Sequence, residues 1–227
     1  MIRLSKRLQA VANLVSPCET AADIGCDHGF LSIWLIENHV AGHVIAADIK
    51  AGPLQKAREH IMQAGLENRI ETIQCDGLHG ISAEMVIIAG MGGRVMLHIL
   101  KEADLAGTRE LILQPQSEIG MFRRELTAMG YEIVQEDCVI EDEKYYPMMK
   151  AVKGTMVLTD TEAEYGPCLL REKHPELKKY LNRQHAYLIE LSHSIRNGES
   201  EKSRIRSAEI EKQIEMIENA IQCFDVG

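Results

Sequence analysis

The chain has 227 residues, of which 45% are hydrophobic, and its formal net charge is −9. This length allows one core of about 150 residues and leaves roughly 70 residues for a smaller second domain. The net charge disfavours nonspecific coating of nucleic acid, although an acidic chain can still carry a basic face. No apolar run approaches the roughly 20 residues of a membrane span, and six cysteines without a Cys-x-x-Cys pair disfavour disulfides and structural zinc. We therefore predict a soluble cytoplasmic protein without a metal.

The first two thirds of the chain alternate strand-like and helix-like segments. The β-branched, strand-like runs cover residues 21–24, 43–48, 69–75, 84–90 and 110–115. The helix candidates between and after them cover residues 29–38, 51–64, 92–104 and 117–129. This alternation predicts an α/β domain with a mainly parallel sheet.

After Gly130 the pattern changes to two strand-like runs without a helix between them. The runs YEIVQEDCVI and KYYPMMKAVKG are joined by an acidic turn, which predicts an antiparallel hairpin at the sheet edge. A parallel sheet completed by an antiparallel last strand looks like the Rossmann-like class I methyltransferase fold. We therefore place a catalytic domain at residues 1–154.

The remaining residues, 155–227, form a second predicted domain that is charged and helical. Its helical pattern runs from 168 to 221 and is broken once, at 196–203. One apolar stripe precedes the break and one follows it; they consist of Leu177, Leu181, Leu188, Leu191 and Ile195, and of Ile210, Ile214, Ile217 and Ile221. The pattern predicts an α-helical coiled-coil hairpin in which two antiparallel helices bury both stripes.

The glycine loop in AADIGCDHGFL is the first candidate for a cofactor site. A strand that carries Asp23 and is followed by Gly25 and Gly29 can fold tightly against an adenosyl group. The dinucleotide pattern Gly-x-Gly-x-x-Gly fails, because Asp27 and Phe30 occupy its second and third glycine positions. A carboxylate would repel a pyrophosphate but attract a sulfonium cation, so the loop favours S-adenosylmethionine.

Two further carboxylates follow the next two strand-like runs. Asp48 lies 23 residues after Gly25, close to the offset at which an acidic side chain binds ribose hydroxyls. Asp76 follows the third run, where this fold usually binds the adenine amino group. A single loop aspartate is equally well explained as a turn or a helix cap, but carboxylates at consecutive strand ends favour a cofactor site.

The fourth run ends in AGMGG, where amino-group methyltransferases often carry Asn/Asp-Pro-Pro-aromatic. Its glycines allow a ligand to approach the backbone closely, or they provide the positive φ of an ordinary loop. The replaced motif disfavours an exocyclic amine as the methyl acceptor and leaves a ring nitrogen open. We assign to the cofactor Asp23, Gly25, Asp27, Gly29, Asp48, Asp76, Gly77, Gly90, Met91 and Gly92.

Six segments, taken in order, closely resemble the bacterial tRNA (adenine-22-N1)-methyltransferase family. They are LSKRLQAVANLV, DIGCDHGFL, AADIKAGPLQKA, IIAGMGG, LILQPQ and EDEKYYPMM. The likeness spans nearly the whole chain. It implies transfer of a methyl group from S-adenosylmethionine to N1 of adenine 22 in the D-arm region of tRNA, giving 1-methyladenosine. N1 has an in-plane lone pair, so alignment with the sulfonium methyl matters more than a strong base. Because N1 lies on the Watson–Crick edge, the adenine must be extruded into a pocket.

The resemblance leaves several candidates for this pocket, and none is assigned as a general base. The catalytic candidates are Asp27, His28, Gln114, Tyr145 and Tyr146, with Gln116 and Met91 as further lining residues. A tyrosine could stack on the adenine, and a glutamine or Asp27 could bind its amino group. The tyrosines are equally explained by strand packing, the glutamines by backbone capping around Pro115, and His28 by the start of a helix.

Basic residues concentrate in two segments that could hold tRNA. Residues 171–206 contain nine Lys/Arg against five Glu, a net charge of +4, and the N-terminal segment has no acidic residue before Glu19. Such residues contact phosphates without reading sequence. The assigned tRNA-binding residues are Arg3, Lys6, Arg7, Lys178, Lys179, Arg183, Arg196 and Arg204. The helical segment could instead be a solvated, protein-binding or dimerising arm, and Arg123 and Arg124 could extend the basic track or be plain surface charge.

Two other functions fit parts of this pattern. A small-molecule methyltransferase would share the cofactor loop, but its appendage would cap a closed apolar pocket. A noncatalytic RNA-binding protein could keep the fold without turnover, although three retained carboxylates argue against that. The oligomeric state stays open, with a monomer favoured.

Overall fold

The computed structural model describes residues 2–195 and 201–225, with only the backbone described for 201–203. The chain divides into two compact units, Met1–Val157 and Leu158–Gly227. The division falls three residues beyond the predicted boundary at 154. Among the described residues, no helix is long and apolar enough to cross a membrane. Among the same residues, no group of three or more His, Cys, Asp or Glu side chains is placed to bind a metal ion.

The first unit is an α/β domain built on a seven-stranded sheet. Its helices are α1 (Lys6–Leu14), α2 (Phe30–Glu37), α3 (Ala51–Ala64), α4 (Gly93–Glu102) and α5 (Ile119–Ala128). Its strands are β1 (Cys18–Ile24), β2 (Ala41–Asp48), β3 (Ile70–Gln74), β4 (Met85–Met91), β5 (Glu110–Pro115), β6 (Tyr131–Glu141) and β7 (Lys144–Lys153). The strand order is β3-β2-β1-β4-β5-β7-β6, with the first five strands parallel and β7 antiparallel between β5 and β6. The predicted Rossmann-like methyltransferase sheet with an antiparallel last strand is confirmed.

The central strands are apolar on both faces because helices cover the sheet on both sides. In β4 the four residues from Met85 to Ile88 are at most 1% exposed, and Leu111, Ile112 and Leu113 of β5 are wholly buried. Parallel strands end at the same edge of a sheet. The loops that follow β1, β2, β3 and β4 therefore meet at one edge, and this edge positions the candidate site.

The second unit is helical over its described residues. Its elements are α6 (Asp160–Tyr165), α7 (Pro167–Arg171), α8 (Pro175–Ile195) and α9 (Glu201–Asp225). Helices α8 and α9 contact each other, and the predicted stripes supply buried residues to both, among them Leu177, Leu181, Leu188, Ile210 and Ile217. A coiled-coil supercoil of the two helices stays a prediction.

The prediction of a single break in the helical region was wrong. The chain also leaves the helix between Arg171 and Pro175, where Lys173 has a φ of 51°. Proline lacks an N–H group and is therefore favoured in the first turn of a helix, so a new helix begins at Pro175. Helix α6 was not predicted, although Thr159 and Glu162 form a capping box at its start.

A buried ion pair joins α5 to β6. The Nε atom of Arg123 lies 2.9 Å from Oε1 of Glu136, and both side chains are 0% exposed. Arg123 therefore belongs neither to a basic track nor to the surface, which corrects both interpretations of this residue. A charge buried this deeply is tolerated only when it is paired.

We expect Glu136→Ala to lower the free energy of unfolding by about 3–5 kcal/mol, because it leaves a buried guanidinium without its carboxylate partner. Urea denaturation followed by circular dichroism measures the change. Arg94→Ala is the matched control, since Arg94 pairs with Glu118 at 2.7 Å while its side chain is 78% exposed. That loss should stay below about 1 kcal/mol. Equal losses in the two variants would contradict the assignment.

Candidate active site

A cavity of about 490 Å³ opens at the edge where the parallel strands end. The loops after β1, β2, β3 and β4 line it, together with Arg7 and Leu8 of α1. Of the residues assigned to a cofactor, the cavity is lined by Asp23, Gly25, Asp27, Asp48, Asp76, Gly77, Gly90 and Met91. His28 and Gln116 also line it, whereas Gly29 and Gly92 do not. The structure thus gathers into one cavity residues as far apart in the chain as Arg7 and Gln116.

The glycines of the first loop are required by local geometry. Gly25 and Gly29 have φ values of 73° and 74°, in the left-handed region that side chains disfavour. A Cβ on Gly25 would collide with Cε of Met91, and a Cβ on Gly29 would lie 3.1 Å from that of Ala57. The loop after β1 therefore fits closely against the loop after β4 and against α3.

The carboxyl group of Asp23 lies at the buried end of the cavity. Asp23 is 4% exposed, and its Oδ2 atom accepts a hydrogen bond of 2.6 Å from the hydroxyl of Ser32. Burial raises the pKa of Asp23 from 3.8 to about 6; the hydrogen bond from Ser32 opposes this change and the charge of Asp48 adds to it. A nearby cation would favour the ionised form of this group.

The carboxylate of Asp48 is held by two backbone amides. Its Oδ2 atom accepts a hydrogen bond of 3.2 Å from the amide of Asp27, and Oδ1 accepts one of 2.8 Å from the amide of Lys50. Each carboxylate oxygen has a second lone pair, which leaves it able to accept a hydroxyl from a ligand. Asp76 is exposed at the end of the same cavity.

Gln114 lies behind the cavity wall and does not line it. The side chain is wholly buried, and its Oε1 atom accepts hydrogen bonds from Nη1 of Arg7 at 2.8 Å and from the amide of Gly90 at 3.1 Å. The pairing of β4 with β5 shifts register around Gly90, and Gly90 has a φ of 84°. The bulge removes the Gly90 amide from the ladder, so the side chain of Gln114 satisfies it.

The two tyrosines of β7 do not line the cavity either. Successive side chains of a strand point to opposite faces, so the two residues have different surroundings. Tyr146 packs against the core of the sheet, and the guanidinium of Arg7 lies 5.7 Å above its ring centre. Burial, with Cys138 as the next contributor, raises the pKa of Tyr145 well above its ordinary value. Stacking of either tyrosine on the adenine stays a prediction.

Phe30 lines the cavity and was missed as a site residue. Its ring stacks on the ring of His60, with centroids 4.7 Å apart and planes 21° apart. The Nδ1 atom of His60 lies 2.9 Å from the carbonyl oxygen of His28, whose own Nε2 atom is 3.7 Å from the Asp27 carboxylate. The available signal was an aromatic residue directly after the glycine loop.

The basic residues assigned to tRNA lie in different surroundings. In the first unit, Arg3 is exposed, while Nζ of Lys6 donates a hydrogen bond of 3.1 Å to the carbonyl of Ile140. In the second unit, the exposed members are Lys178, Lys179, Arg183 and Arg204. Lys179 pairs with Glu176 at 2.7 Å. Arg196 lies outside the described residues.

Comparison with known proteins places this geometry among methyltransferases. A family model described as a methyltransferase domain matches residues 4–149. The tRNA (adenine(22)-N(1))-methyltransferase of Bacillus subtilis (strain 168) is 33% identical over 240 residues, which cover 97% of this chain and 98% of that protein. The structure of M. capricolum TrmK in complex with S-adenosyl-homocysteine has a TM-score of 0.85 at 28% identity, over 97% of this chain and 99% of that one. Streptococcus pneumoniae Sp1610 in complex with S-adenosyl-L-methionine has a TM-score of 0.85 at 29% identity, over 96% and 100% of the two chains.

We expect Asp23→Asn to gain stability over the parent protein as the pH rises from about 4 to 7. Between 3.8 and about 6 the folded protein retains a proton on Asp23 that the unfolded chain has released. The stability contributed by Asp23 is therefore complete below the unfolded pKa and is lost as the pH rises through the folded pKa. An asparagine does not ionise, so its advantage should grow by about 2–3 kcal/mol over this interval. Urea denaturation of both proteins at several pH values measures it, and a constant difference would contradict the assignment.

Proposed function

This chain belongs to the bacterial family of tRNA (adenine(22)-N(1))-methyltransferases, and we propose that it transfers a methyl group from S-adenosylmethionine to N1 of adenine 22 in tRNA. The observation that carries this proposal is the convergence of Asp23, Asp48 and Asp76 on one cavity at the ends of consecutive parallel strands. Carboxylates in this arrangement suit an adenosyl cofactor. The product is 1-methyladenosine.

The residues that line the cavity fit S-adenosylmethionine. Four carboxylates line it, from Asp23, Asp27, Asp48 and Asp76, against two cations. This excess of negative charge suits a ligand that carries a sulfonium and an ammonium group. The left-handed backbone at Gly25 keeps the first loop close to any occupant, and we propose that Asp48 binds the ribose and Asp76 the adenine of the cofactor.

The reaction needs alignment more than proton transfer. Bound S-adenosylmethionine supplies an electrophilic methyl group, and N1 of adenine already carries the attacking lone pair. We therefore assign the wall formed by Gly90 and Met91 to positioning, with Gln114 holding it through the Gly90 amide. Methylation at N1 leaves a positive charge on the base, which the exposed carboxylate of Asp27 can offset.

Both units are proposed to contact tRNA through phosphates. The exposed Lys179 and Arg183 lie four residues apart on α8, so they share one face of that helix. The half-buried guanidinium of Arg7 lines the cavity and uses Nη1 for Gln114, which leaves further N–H groups to donate to a phosphate of the extruded nucleotide. A tRNA substrate also favours the cytoplasm as the site of action.

The function is tested by incubating the protein with methyl-labelled S-adenosylmethionine and unmodified tRNA transcripts. We expect label at N1 of adenine 22, and no label when guanine replaces that adenine, because guanine N1 carries a proton in place of a lone pair. Nuclease digestion with mass spectrometry locates the methyl group.

Asp48→Asn provides the control for cofactor use. It should raise the KM for S-adenosylmethionine by roughly tenfold or more, since it removes a charged acceptor of hydroxyl groups. Cofactor binding without label on any tRNA would favour a small-molecule acceptor or a noncatalytic protein. Label at a different atom or nucleotide would contradict the assigned acceptor.

We expect the double charge reversal Lys179→Glu and Arg183→Glu to raise the KM for tRNA by about tenfold and to weaken its dependence on salt, because phosphate contacts release counterions. Lys212→Glu is the matched control, since Lys212 is also exposed but lies in an acidic part of α9. Steady-state kinetics at two salt concentrations distinguish the variants. If both raise the KM equally, the effect belongs to net charge and not to this face of α8.

A further inference from the structure

Phe30 offers a flat apolar surface to the cavity. Among the described residues that line the cavity, it is the one Phe, Tyr or Trp side chain. It remains 37% exposed, although a ring of this size gains free energy from burial. We propose that Phe30 is a stacking platform for a nucleobase of the tRNA beside the methylated adenine, an inference that rests on the proposed function.

The platform is held in place before any ligand binds. His60 of α3 supports the Phe30 ring at 4.7 Å, and the contact between His60 Nδ1 and the His28 carbonyl fixes the supporting ring. A side chain that is already ordered loses little conformational entropy on binding. The exposed part of the ring is therefore ready to receive a second flat group.

The charges of the cavity that Phe30 lines favour a base over a phosphate. Four carboxylates line it, from Asp23, Asp27, Asp48 and Asp76, against Arg7 and Lys50, and this excess of negative charge disfavours a phosphate at Phe30. A neutral base has no such penalty, and aromatic side chains are the usual partners of unstacked RNA bases. Stacking is also tolerant of sequence, which suits an enzyme that acts on a fold shared by tRNAs.

The position of Phe30 separates it from the proposed adenine subsite of the cofactor. Phe30 begins α2 after β1, whereas Asp76 follows β3, and β2 lies between these two strands in the sheet. Extrusion of the target adenine deprives its neighbours of a stacking partner. Tyr145 and Tyr146 do not line the cavity, so Phe30 is the ring that can replace that partner among the described Phe, Tyr and Trp side chains of the lining.

The test compares Phe30→Leu, which keeps apolar bulk but loses the ring, with Phe30→Trp, which keeps a ring. We expect Phe30→Leu to raise the KM for tRNA by roughly 10-fold, the effect of losing one stacked base, and Phe30→Trp to restore it. Calorimetry with S-adenosyl-homocysteine should give the parent Kd for both variants. A 2-aminopurine placed beside the target nucleotide should lose fluorescence on binding to the parent and to Phe30→Trp, but not to Phe30→Leu.

Met62→Leu is the matched control, because Met62 of α3 is 60% exposed and does not line the cavity. An unchanged KM and unchanged quenching in Phe30→Leu would overturn the platform, and a weaker Kd for the homocysteine ligand would assign the ring to the cofactor. If Phe30→Leu melts at a lower temperature, the parent and Phe30→Trp are compared at equal saturation instead. A different extent of quenching in these two proteins supports contact between the ring and the base, because a ring change at a contact alters the signal. An identical extent of quenching contradicts that contact. Failure of the parent protein to methylate any tRNA would instead overturn the proposed function.

Discussion

Parallel pairing of β1 with β2 and with β4 is the constraint on which the site depends. It places the ends of three strands side by side, so that Asp48, Gly25 and Met91 reach one cavity although β4 follows β1 only after two further strands. Gly25 has a φ of 73°, so a side chain at position 25 would strain the backbone and would also displace the terminal methyl group of Met91.

Backbone irregularity at the site is stabilised by side chains outside it. The bulge at Gly90 leaves one backbone amide without a partner in the ladder. The Oε1 atom of Gln114 accepts a hydrogen bond from this amide and another from Arg7. The N-terminal helix is therefore linked to the cavity wall through a single buried oxygen atom. This arrangement explains why a polar side chain is wholly buried in this strand: it satisfies the Gly90 amide that the bulge removes from the ladder.

Electrostatics divides the chain into regions with different roles. The cavity concentrates carboxylates, including Asp23, whose pKa burial raises to about 6. The exposed face of α8 carries Lys179 and Arg183 instead. The cavity therefore suits a cationic ligand and this face of α8 suits a polyanion, in a chain whose total charge of −9 describes neither surface.

The sequence by itself determined the strands of the sheet, its parallel order with an antiparallel end and the family, because these follow from local periodicity, strand-end carboxylates and short ordered motifs. It also indicated most of the residues that line the cavity, since Asp48 ends β2 and Asp76 lies just beyond β3, in a sheet whose strand order the fold class implies. It did not show that Gln114 lies behind the cavity wall, that Arg123 is buried in an ion pair, or that Phe30 lines the cavity. Those distinctions depend on which way a side chain points and on what lies across the sheet, and only tertiary packing decides both.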